Sequence, residues 1–117
     1  MKKIINDINE YLNKELWMDF EIYSINGGFL EIVGFLDEMG EEKIKITFEN
    51  PFAIICDLKF SYEGDGNFIS IVDGKKAYEI NMEYKVTKGN TIFKISNTDI
   101  GNDMYIVAKS IKYTVCG

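Results

Sequence analysis

Apolar residues recur at every second position over most of this chain, and no other feature narrows the fold as much. Ile44, Ile46 and Phe48 alternate with Lys43, Lys45, Thr47 and Glu49, and Met18, Phe20 and Ile22 alternate with Asp19, Glu21 and Tyr23. Successive side chains of an extended strand point to opposite faces, so this register belongs to strands with one face on a core and the other in water. The same rule places Phe52, Ile54, Cys56, Leu58 and Phe60 on one face after the Asn50-Pro51 break. It also sets Tyr78, Ile80, Met82, Tyr84 and Val86 against Glu79, Asn81, Glu83 and Lys85. Asp73-Gly74 then predicts the turn of a β-hairpin joining Phe68–Val72 to Ala77–Val86. Asn26-Gly27-Gly28 and Lys88-Gly89-Asn90 supply further turns. The last run, Met104 to Val115, is apolar on both faces, which predicts a central strand covered on one side by a helix.

The exception comes first in the chain. Ile4, Ile5, Ile8, Tyr11, Leu12 and Leu16 lie at helical spacing, flanked by Lys2, Lys3, Asp7, Glu10 and Lys14, and predict an amphipathic helix over residues 2–16. A helix of this length is marginal alone and needs a surface on which to dock. The expected fold is therefore α+β and mainly β. One N-terminal helix packs on a strongly curved antiparallel sheet of about eight strands spanning 17–116, as a small sandwich or half-open barrel. At 117 residues the chain forms one domain, 1–117, with a single core.

Charge and missing residue types exclude much chemistry. The net charge is −6, and all 13 basic residues are lysine. A negative field repels phosphate backbones, and no arginine is present to clamp phosphate or guanine, so no nucleic-acid partner is expected. With no histidine, Ser-His-Asp and Cys-His mechanisms and histidine metal sites drop out, and neither a metal nor a cofactor is expected. Cys56 and Cys116 form no disulfide framework; Cys56, in an apolar run, reads as a small buried hydrophobe. Asn6, Asp7, Asn9 and Glu10 interrupt what could otherwise begin a signal peptide, and no run reaches membrane-spanning length. The expectation is a cytoplasmic protein without a membrane partner.

Candidate sites compete with plainer explanations. Glu63-Gly64-Asp65-Gly66-Asn67 resembles a fragment of a calcium loop but lacks the remaining ligands, and Asp99, Asn102 and Asp103 fare no better; turn chemistry accounts for both. Glu79 and Glu83, four apart on an expected strand, share a face and could act as acid and base, yet that is also the solvated face. The glycines at 64, 66, 74, 89 and 101 make no phosphate-binding pattern. The densest charge lies in Asp37, Glu38, Glu41 and Glu42, with a second group in Glu10, Glu15, Asp19 and Glu21. Such clusters protect sheet edges and aid solubility, or they steer a basic partner. Asp37, Glu38, Glu41 and Glu42 are accordingly the candidate partner-binding residues, with Trp17 and Phe29 as aromatic anchors.

The succession of an N-terminal helix, Ile32-Val-Gly34-Phe-Leu-Asp37-Glu38, Ile44-Lys-Ile46-Thr-Phe48-Glu-Asn50-Pro51, Phe93-Lys-Ile95-Ser and Tyr105-Ile-Val-Ala108-Lys109 resembles small bacterial immunity-type proteins. The resemblance implies an acidic cytoplasmic protein that neutralises a secreted toxin, and it carries no family site residue by residue. The expected function is non-enzymatic binding of a basic protein, in its most concrete form immunity- or antitoxin-like inhibition of a toxin domain. The alternatives are a small-ligand carrier with an apolar cavity and a carboxylate-dependent hydrolase. Oligomeric state and strand order stay open.

Overall fold

The computed structural model describes residues 1–15, 17–36, 40–63, 66–96 and 103–116. Helix α1 spans Lys2–Asn13 and is followed by β1 (Met18–Ile25), β2 (Phe29–Phe35), β3 (Glu42–Glu49), β4 (Ala53–Ile55), β5 (Lys59–Tyr62) and β6 (Ile69–Ile71). Helix α2 (Gly74–Tyr84) precedes β7 (Thr91–Ser96), β8 (Asp103–Ala108) and β9 (Ser110–Val115). All pairings are antiparallel. A five-stranded sheet has the order β5-β1-β2-β3-β9, and a four-stranded sheet the order β4-β8-β7-β6. The expected architecture, α+β, mainly β and strongly bent without barrel closure, is observed.

The bend has a definite location. The β3–β9 ladder ends at Glu49 opposite Ser110, and the β4–β8 ladder resumes at Ala53 opposite Val107. Between them Lys109 N–H donates to Glu49 O (3.0 Å) and Phe52 N–H to Val107 O (2.7 Å), so one two-stranded ribbon passes from sheet to sheet. Asn50, at φ 50°, and Pro51 turn the chain at this corner. This divides the expected strand 104–115 into β8 and β9. The run 52–60 is also divided, because Ile54 packs in the second sheet while Phe60 must reach β1 in the first.

Between the sheets lie Phe20, Phe48, Phe60, Phe68 and Phe93, with ring pairs such as Phe20–Phe68 at 4.6 Å and Phe48–Phe93 at 5.2 Å between centroids. Gly34 lies where Met18, Phe20 and Ile44 converge; a Cβ there would come within 2.6 Å of the Met18 sulfur. Ile5, Ile8 and Leu12 carry α1 into this same core. The helix fills the space between the edges β6 and β9, where buried Asn9 behaves like a strand. Its Nδ2 donates to Ile69 O (2.9 Å), and its Oδ1 accepts from Ile69 N–H (3.0 Å). The helix stops at Asn13, short of the expected residue 16. Lys14 and Glu15 bond back to Tyr11 and Leu12 in a tightened last turn, and Asn13 Nδ2 is held by Gly66 O. Leu16 lies outside the described residues.

The main correction concerns 74–84. The expected hairpin arm Ala77–Val86 is helix α2, and Asp73-Gly74 starts a helix instead of turning two strands. Ala77, Ile80 and Val86 form a second small core with Val72, Ile92, Tyr105 and Val107 on the outer face of the four-stranded sheet. That helix covers the second apolar face of β8; α1 does not. One expected strand thus became a helix and two divided, giving nine strands among the described residues in place of about eight.

Candidate functional site

On β1, Met18, Phe20 and Ile22 take the inner face, so Asp19, Glu21 and Tyr23 are left on the outer one. Residues directly opposite on antiparallel strands share a face. One row across the sheet therefore reads Ser61, Asp19, Phe35, Glu42, and the next reads Lys59, Glu21, Val33, Lys45. Tyr23 stands at the register shift between Ile22 and Ser24, with Lys45 Nζ 5.8 Å from its ring centroid. Except for Lys45, the residues of these two rows and Tyr23 line an open groove of about 580 Å³ on the outer face of the five-stranded sheet. Val33, only 2% exposed, is its apolar floor.

The two rows differ electrically. Glu21 has Lys59 opposite it and Lys45 in the same row, whereas the row of Asp19 and Glu42 contains no lysine. The Ser61 hydroxyl donates to Asp19 Oδ1. None of the ion pairs formed between described residues involves Asp19, Glu21 or Glu42. Among the described residues, no three His, Cys, Asp or Glu side chains are placed to hold a metal ion. The acids line a surface; they do not converge on a point.

Of the residues expected from sequence to bind a partner, Glu42 lines the groove, half-buried, and Glu41 is exposed just before it. Asp37 and Glu38 lie outside the described residues, as do Gly64, Asp65, Asp99, Gly101 and Asn102. Trp17, 40% exposed, precedes β1 and is not part of the groove lining. Asp19 and Glu21 come from the second acidic group, so the fold joins one member of the first group to two of the second; Glu10 and Glu15 stay with α1. Tyr23, Phe35 and Lys59 are groove residues that belong to neither acidic group. The signal for Tyr23 was present in the outward set of β1, but nothing local places Phe35 and Lys59 beside it. No family model, curated protein or solved structure matches this chain.

The rival sites look different in three dimensions. Glu79 and Glu83 lie on a helix, not a strand; they still share a face one turn apart, and both are exposed. The space between the sheets that a carrier would use is filled by the aromatic side chains described above. Cys56 is half-buried beside the core, and its Sγ lies 3.1 Å from Asp57 O. Burial, and to a lesser extent the Asp57 carboxylate, pushes the thiol up to about 12, the opposite of an activated nucleophile. No helix among the described residues is long and apolar enough to cross a membrane.

Proposed function

We propose that this protein is a non-enzymatic binding module that receives a basic protein partner on the outer face of its five-stranded sheet. The observation that carries the reading is the meeting of Asp19 and Glu21 of β1 with Glu42 of β3 in one open groove with Tyr23 and Phe35. Carboxylates spread along a groove suit several cationic side chains, and aromatic rings beside them add cation–π and apolar contact. The net charge of −6 extends the attraction beyond contact distance and speeds encounter. In its most concrete form the protein is an immunity- or antitoxin-like inhibitor acting in the cytoplasm on a basic toxin domain, in keeping with the resemblance in its sequence.

The test has two parts. The chain is co-expressed with the products of neighbouring genes, and both complex formation and relief of toxicity are scored. Association is then compared between the natural chain and Glu21→Lys/Glu42→Lys across ionic strengths. The reading requires slower association and a flatter salt dependence in the variant. Unchanged kinetics in the variant would remove the groove from the interface.

A further inference from the structure

Three asparagines share one stripe of α1. Asn6, Asn9 and Asn13 stand three and four residues apart, the spacing that stacks side chains on one face of a helix. Two of them hold backbone on the β6 side. Asn13 Nδ2 donates to Gly66 O (3.0 Å), and Asn9 takes both groups of Ile69. The third breaks the series. Asn6 and Ile71 line an open slot of about 310 Å³ between α1 and β6. The β6–β7 ladder fixes which way the peptide groups of this strand point. Phe68 O accepts from Ser96 N–H (2.9 Å) and Val72 N–H donates to Ile92 O (2.9 Å), so residues 68, 70 and 72 bond toward β7. The N–H and C=O of Ile69 and Ile71 point the other way, as the Asn9 bonds to Ile69 require. Among the described residues, Ile71 N–H, Ile71 O and the Asn6 side-chain amide have no hydrogen-bond partner.

A sheet edge in water is ordinary, but this one faces an unengaged amide across an apolar floor. Ile69 is fully buried, whereas Ile71 on the same face of β6 is 37% exposed, and buried Ile5 lines the slot with them. We infer that the slot takes an extended peptide segment, which continues the pairing that Asn9 begins. The residue opposite Ile71 donates to Ile71 O and accepts from Ile71 N–H, as an added strand does. The next peptide group meets the Asn6 amide. Residues directly opposite share a face, so the side chain beside Ile71 and Ile5 is apolar. Lys2 and Asp73, both exposed, line the slot with opposite charges that cancel, which suits a net-neutral segment. No residue lines both this slot and the acidic groove, and the inference goes beyond the basic partner without resting on it.

The probe is a terminally blocked heptapeptide of alternating valine and threonine, titrated into the natural chain while amide signals are followed by NMR. Binding should saturate, shift the Ile71 backbone and Asn6 side-chain signals, and hold constant as ionic strength rises. The same peptide N-methylated at every valine cannot donate to Ile71 O and should bind about tenfold more weakly. Ile71→Pro removes the outward N–H while keeping the bonds to β7, and should abolish binding. Asn6→Ala, on an exposed helix position, should weaken it about threefold. Glu21→Lys/Glu42→Lys, altered only in the groove, should bind the peptide as the natural chain does. Absence of shifts at Ile71 and Asn6 overturns the inference, as does equal affinity for the methylated peptide. Either result leaves the basic-partner reading standing. Should Ile71→Pro fail to fold, the methylated peptide and Asn6→Ala decide. Shifts at Ile71 and Asn6 that follow protein concentration without peptide would assign the slot to a second copy and end the inference.

Discussion

Asn9 substitutes for a missing strand. A sheet edge exposes N–H and C=O groups that must be paired when buried, and Asn9 pairs both of those that Ile69 offers. Asn9→Ala removes both partners and leaves buried backbone groups unsatisfied. We expect a loss of about 2–3 kcal/mol in urea unfolding. Asn9→Asp should cost at least as much, because its carboxylate faces the Ile69 carbonyl. Cys56 carries a second prediction. Its folded pKa, raised to about 12 from 9.0, makes the neutral thiol the native form. The associated stability is complete below pH 9 and drains away as pH climbs toward 12, so the natural chain should lose stability faster than Cys56→Ala over that window. At pH 8 the native Cys56 should resist iodoacetamide and react once urea unfolds the chain.

Among elements, α2 shows how two periods can coexist in one sequence. Tyr78, Ile80, Met82, Tyr84 and Val86 alternate as a strand would, yet Ala77, Ile80 and Tyr84 also satisfy helical spacing. The composition favours the helix, since lysine, alanine, glutamate and methionine are strong helix formers and Ile80 is the only β-branched residue in Gly74–Tyr84. The strand pattern depends on Tyr78 and Met82 behaving as apolar residues, but both are exposed in the structure. Only Ile80 is fully buried in α2, so docking hangs on one side chain. Ile80→Ala should cost about 2–4 kcal/mol. It should also accelerate amide exchange across Gly74–Tyr84 before it affects α1, as expected of a locally unfolding unit. Equal acceleration in both helices would mean that α2 belongs to the main cooperative core.

For the whole molecule, a surplus of negative charge sits on a scaffold that leaves apolar side chains such as Leu58 and Ile25 exposed. Near neutrality like charge opposes association through those side chains. Close to the sequence pI of about 4.6 the repulsion vanishes, and sedimentation should detect self-association there that is absent at pH 7. Leu58→Ser, at a side chain 74% exposed, should weaken it. The outer-face groove runs from β5 to β3. Glu42 joins Asp19 and Glu21 there because β2 lies between β1 and β3 in the sheet, not because it is close to them in sequence.

The alternating strands Met18–Ile25 and Glu42–Glu49, the apolar stripe of α1 and the acidic character were all legible in the residues. Each follows from a local rule of side-chain direction or from simple counting. The tertiary structure alone decided where the long runs would bend, that 74–84 would coil on the outside of the second sheet, and which acids would share a groove. Those outcomes turn on pairings between residues far apart in the chain, where packing against a particular neighbour outweighs a pattern that fits two conformations.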